Sequence, residues 1–155
     1  MEEYSAKSAL NVLRIIHFAL MAGLIIFGTV VTYLILSGST SADQGMDIIK
    51  YLPGLMFLTV VPFSSFMFRK NLDPIKKPVS SLKDKLAAYQ TAHIVRMASF
   101  EAVGLFAVVT CFVTSTLLNL GVLAIVLAFF IIKTPSVSQL ENNPGLTQEE
   151  KNQLE

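Results

Sequence analysis

The sequence predicts an all-α protein: an integral membrane four-helix bundle made of two helical hairpins, with both termini cytoplasmic. Three observations carry this expectation. The chain is 53% hydrophobic and only 15% charged, against roughly 25% charged in soluble domains. It holds four apolar runs, at about residues 8–36, 46–68, 86–115 and 116–132, and a spanning helix needs about 20 largely apolar residues. Its basic residues also concentrate in one loop, and basic loops stay in the cytoplasm. Twelve basic against eleven acidic residues leave a net charge of +1, which gives no argument for a nucleic-acid partner.

The first run, 8–36, is continuously apolar rather than alternating, so it reads as a helix and not as a barrel strand. It is too long, and too polar at its start, for a cleaved signal peptide, and is expected to stay in the mature protein. The following loop, "SGSTSADQGMDIIK" at 37–50, has one lysine and two aspartates. The second run opens with Pro53 and Gly54 and carries Pro62 inside it, where the ring removes a backbone hydrogen bond and should kink the helix. Ser64 and Ser65 just beyond are placed to satisfy the freed carbonyls.

The loop "RKNLDPIKKPVSSLKDK" at 69–85 has six basic and two acidic residues. That asymmetry puts it, and with it both termini, on the cytoplasmic side. Pro74 and Pro78 make it an extended spacer, and its lysines also suit anionic lipid headgroups. The third run holds Cys111, the only cysteine. A single cysteine excludes an intrachain disulfide and a CxxC metal site, and this one reads as a small buried hydrophobe. The fourth run is barely long enough to span. Only residues 117–121 join it to the third, which requires a tight antiparallel hairpin. The four-helix domain therefore covers residues 1–133. A polar cytoplasmic tail follows at 134–155, where Thr147 and Glu150 stand at capping-box spacing and predict a short helix from about Gln148.

Two short motifs mark a candidate site. "RIIH" (Arg14 and His17) and "HIVR" (His93 and Arg96) each place an arginine and a histidine one turn apart near the start of an apolar run. A shift of 79 residues superposes "RIIHFALMAGLIIF" on "HIVRMASFEAVGLF", which suggests a parallel tandem repeat of two hairpins. Glu101 stands deep inside the third run, about 24 Å from Lys85 at 1.5 Å per residue, close to mid-membrane. A charged group at the bilayer centre costs about 2.5–3.5 kcal/mol on insertion scales, so Glu101 should face the bundle interior and either find a partner or stay protonated. Arg14, His17, His93, Arg96 and Glu101 are the candidate polar network. One reading makes Glu101 a hydrogen-bonding clasp between helices, with the arginines reaching back to the headgroups. The other makes it a proton or cation site served by the histidines. His17, His93 and Glu101 could share a metal only if the first and third helices touched at matching depth, so no metal and no cofactor is expected. The sequence has no GxSxG, no Gly-rich phosphate loop and no HExxH, and an enzyme is not expected.

"FEAVGLFAVVTCF" at 100–112 resembles the carboxylate-bearing helix of rotary-ATPase proteolipid (c-type) subunits through Glu101, Ala102 and Gly104. Over most of its length the chain is similar to small uncharacterised bacterial four-helix membrane proteins, which carry an Arg, Ala and Glu pattern in the third helix and a Pro-Ser motif after the fourth. The second resemblance implies a multi-pass fold in a bacterial cytoplasmic membrane and supplies no activity. Four short helices rarely enclose a pore by themselves, so a homo-oligomer or a larger membrane complex is expected, with the lipid bilayer as the other partner. The carboxylate deep in the third run points to an ion- or proton-conducting or transport-associated component with Glu101 as its intramembrane site. The alternative is a non-catalytic structural or accessory subunit.

Overall fold

The computed structural model describes residues 6–41, 47–72 and 82–136. Over these residues the chain is all-helical: α1 (Ala6–Leu36), a short 3-10 helix (Asp47–Tyr51), α2 (Leu52–Asn71), α3 (Leu82–Thr114) and α4 (Leu120–Ile132). Three stretches, Ser8–Leu36, Ile48–Asn71 and Lys83–Thr114, are long and apolar enough to cross a membrane. α4 has 13 residues, about 20 Å of helix against a hydrocarbon core of about 30 Å. The fourth apolar run is thus only partly helical, because residues 116–119 belong to the turn that precedes Leu120. The extended spacer at Pro74 and Pro78 and the tail helix expected from Gln148 lie outside the described residues.

Both helices that run away from the basic end stop in the same way. After α1, Ser39 N–H bonds Leu34 O at 3.1 Å and Gly38 N–H bonds Ile35 O at 3.1 Å, with Gly38 at φ 71. After α3, Thr116 N–H bonds Cys111 O at 3.2 Å and Ser115 N–H bonds Phe112 O at 3.3 Å, with Ser115 at φ 48. Each pair is a Schellman motif, which satisfies orphan carbonyls by turning one residue left-handed. Serine takes that conformation at some steric cost, and the hydroxyl pair Thr114–Thr116 at 3.0 Å braces the turn. α2 begins with Pro53 in its first turn, where the missing N–H costs nothing, and it continues through Pro62. Ser64 and Ser65 donate to Val61 O at 3.1 and 2.9 Å. They do not reach Leu58, whose carbonyl the proline leaves free, because a helical serine bonds only three or four residues back.

α3 lies at the centre. It packs along α1 and α2 and against α4, whereas α1 and α2 barely meet. The two hairpins are therefore not packed as equivalent halves, and the suggested tandem repeat has no two-fold counterpart in the packing. α1 buries Leu10, Leu13, His17, Leu24 and Val31 along one face, at the three- and four-residue spacings of a helix. Close approach of α1, α3 and α4 depends on two glycines: a Cβ on Gly28 would come 2.7 Å from Leu123, and one on Gly104 would come 2.9 Å from Leu24. Small residues at helix contacts are how membrane bundles pack. Polarity is inverted relative to a soluble protein. Ile15, Tyr33, Leu58, Phe66 and Ile131 are exposed, while His17, His93, Thr110, Thr114 and Asn119 are buried. This distribution suits a lipid surround and not water.

Candidate functional site

The two Arg/His motifs meet at the basic end of the bundle, and they do different things there. α4 ends just before Pro135, which has no amide to offer Ile131 O, so the last carbonyls of α4 need other partners. Thr134 supplies some: its hydroxyl donates to Ile131 O at 2.9 Å and to Phe130 O at 3.3 Å. "RIIH" adds two contacts from another helix. His17 Nε2 lies 2.9 Å from Phe130 O, and Arg14 Nε donates to Pro135 O at 3.0 Å. One turn of α1 thus caps the C-terminus of α4.

The first of these bonds sets the tautomer of the next. A carbonyl only accepts, so His17 Nε2 carries the proton and its Nδ1, in the neutral ring, is an acceptor. His93 Nε2 of α3 sits 3.4 Å from that Nδ1 and so donates to it. His93 Nδ1, also buried, has no partner among the described residues. The imidazoles belong to a longer stack of rings. Phe68 lies 6.4 Å from Tyr89, Tyr89 6.1 Å from His93, His93 5.6 Å from His17, and His17 5.2 Å from Phe130. That ladder takes one or more rings from each of α2, α3, α1 and α4. A second tie, Gln90 Nε2 donating to Ala9 O at 2.7 Å, holds α1 to α3 nearer their starts.

Arg96 stands one turn beyond His93 on α3, on the side that meets α2. Its guanidinium lies over the Phe68 ring, 3.9 Å from the centroid, a cation–π geometry. Its Nε is buried without a hydrogen-bond partner among the described residues. Arg96 also lines a cavity of about 300 Å³ together with Ser65, Phe68 and Arg69 of α2, Phe100, Phe129 and Lys133.

Glu101 is apart from all of this. It is half-exposed, and no described residue bonds or ion-pairs with it. It stands 11 residues after Gln90 and three before Gly104, both of which face α1, so it lies on the edge of α3 next to α1. The exposed residues around that edge are small: Ala98 and Ala102 on α3, Ala19, Ala22 and Gly23 on α1. Arg96 shares its cavity with Arg69, in the last turn of α2, and with Lys133, just past α4. α3 therefore runs on past the end of α4 toward its own start, alongside α1, whose Ala9 meets Gln90. Glu101 is five residues, about 7.5 Å, further in than Arg96.

The structure thus brings His17 and His93 together, puts Arg14 on the adjacent turn of α1 and Arg96 one turn along α3, near enough for its charge to act on both imidazoles, and leaves Glu101 apart. The histidine pair shows that the first and third helices do touch at matching depth. Glu101, eight residues and about 12 Å further along α3, does not join it, and no group of three metal-ligating side chains occurs among the described residues. Sequence reasoning missed Tyr89, Gln90, Phe130 and Pro135. Pro135 carried a usable signal, since a proline two or three residues past a helix leaves carbonyls to be capped. Compared with known protein families, with characterised proteins and with solved structures, the chain matches none.

Proposed function

We propose that this chain is a small multi-pass membrane protein that serves as a non-catalytic accessory component, closed to ions along its own axis. The observation that carries this is the packing between its two polar layers. From Arg96 to Thr110, about 21 Å along α3, the interior is filled by Leu24, Met97, Phe100, Val103, Ala107, Val108 and Val126, each at most 2% exposed. An ion on that path would lose its hydration with nothing to replace it.

A second reading keeps Glu101 as a proton or cation site. It is favoured by the half-exposed, unpartnered carboxylate on an otherwise apolar surface, and it places conduction at a seam between copies rather than within one chain. Liposomes separate the two. The accessory reading expects the wild-type protein to leave an imposed pH gradient as stable as in empty vesicles. A leak that Glu101→Gln abolishes, while the variant keeps its melting temperature, establishes the seam reading instead.

The reading also orients the bundle. With the basic end in the cytoplasm of a bacterial cell, reporters fused after Lys70 and after Lys151 read cytoplasmic, and one inserted near position 42 reads external. An external signal after Lys70 reverses the orientation.

A further inference from the structure

We infer that the recess between the C-terminal ends of α2 and α4 and the Arg96 stretch of α3 is a binding site for a phosphate-class anion. Three cationic side chains reach it from three directions: Arg69 from α2, Arg96 from α3, and Lys133 from just past α4. Among the described residues no carboxylate lines it, and Glu101 is not part of its wall. Two of the three charges have an ordinary explanation, because a basic residue at the C-terminal end of a helix complements the helix dipole. Arg96 has none. It sits in the interior of α3, 14 residues from Leu82 and 18 from Thr114, and its Nε is buried and unpartnered. The face of Phe68 attracts the guanidinium but accepts no hydrogen bond in its plane. A charge held this way within an apolar bundle calls for a counter-charge.

The chemistry narrows the class. An arginine fork fits carboxylate and phosphate oxygens alike, but a carboxylate carries one charge and this recess offers three. Phosphate brings several acceptor oxygens on one small centre, and up to about two negative charges at neutral pH. A volume of about 300 Å³ is at the small end of ligand pockets, enough for one such group. The wall of Phe100 and Phe129, stacked at 5.3 Å, gives the site an apolar side. The anion has two sources: free phosphate or a phosphate monoester from the water, and the phosphodiester headgroup of an anionic lipid at the same depth.

The test is melting of the full-length protein in a neutral detergent, titrated separately with inorganic phosphate, with phosphatidylglycerol, and with two controls, chloride at matched ionic strength and phosphatidylcholine. The expected result is a saturable rise in melting temperature with phosphate, phosphatidylglycerol or both, and with neither control. A response to phosphate assigns the site to free anions. A response to phosphatidylglycerol alone assigns it to a headgroup. Arg96→Gln should raise the half-saturating concentration about 30-fold or more, the scale for losing one partner of a desolvated charge pair. Should Arg96→Gln fail to fold, the Arg69→Gln/Lys133→Gln double variant, which keeps Arg96 in place, should still show weakened binding. Absence of a saturable rise with either phosphate source, or unchanged half-saturation in the variants that fold, overturns the site. This holds whether or not the liposome experiment finds a leak through Glu101.

Discussion

Replacing His17 with leucine is expected to destabilise the bundle by about 2–4 kcal/mol, while replacing His93 with phenylalanine costs about 1 kcal/mol or less. The two imidazoles are neighbours, each 1% exposed, yet their bonds are not equivalent. His17 donates to Phe130 O and accepts from His93. A leucine there leaves the Phe130 carbonyl with only the long contact from Thr134 and leaves the His93 N–H with no acceptor. Stranding a buried polar partner costs its full desolvation, about 1–3 kcal/mol each. His93→Phe removes one donor from His17 Nδ1, but it also removes a nitrogen that has no partner, and a phenyl ring can keep the stack with Tyr89 and His17. Thermal unfolding in one detergent, read by near-ultraviolet circular dichroism, compares the three proteins. Equal losses for both variants would mean that the rings matter only as volume, and that the capping of α4 by α1 is not what holds the basic end.

How much of this was legible beforehand follows from what kind of partner each residue has. The helices were legible because apolar run length is a property of the sequence itself, and the first three runs became helices at close to the expected bounds. The importance of "RIIH" and "HIVR" was legible too, since polar side chains in an apolar segment must be satisfied somewhere. Their partners were not. Arg14 and His17 bind the carbonyls of Pro135 and Phe130, and a main-chain acceptor has no residue identity by which it can be picked out. Of the expected five-residue network, Glu101 has no bond or ion pair among the described residues, because it lies on the exposed edge of α3 beside α1 and not against the histidine pair. The convergence of Arg69, Arg96 and Lys133 was illegible because Arg69 and Lys133 are ordinary cations at helix ends, and only the packing of α2 and α4 against the stretch of α3 that carries Arg96 turns the three into one site.

Two glycine-to-alanine changes should shift stability in opposite directions, although the chemistry of the substitution is the same. In an exposed stretch of helix, alanine gains about 0.5–1 kcal/mol over glycine, because glycine has more conformational freedom to lose. Gly23, exposed in the middle of α1, has nothing within 4 Å of where a Cβ would stand, so Gly23→Ala should stabilise by about that amount. Gly104 carries the same propensity deficit but sits where α1, α3 and α4 converge. Its Cβ would meet Leu24 Cδ2 at 2.9 Å, Leu24 Cδ1 at 3.2 Å and Val126 Cγ1 at 3.4 Å. A leucine with a free end could swing aside, but Leu24 is 0% exposed and enclosed by the core, and Val126 is equally buried. The added methyl must therefore push α1 away from α3, at the cost of about 1–3 kcal/mol typical of overpacking, with Gly104→Val at or beyond the upper end. Moving α1 outward would also stretch the His93–His17 contact, already 3.4 Å, so the damage should reach the basic end some 16 Å away along α3. Leu24→Ala supplies the control. Alone it destabilises by leaving a cavity, but combined with Gly104→Val it should cost less than the sum of the two, because the space one opens is the space the other fills. Unfolding midpoints for Gly23→Ala, Gly104→Ala, Gly104→Val, Leu24→Ala and the double variant decide the matter. Additive losses, or a stabilising Gly104→Ala, would show that α1 and α3 are not held together through Gly104.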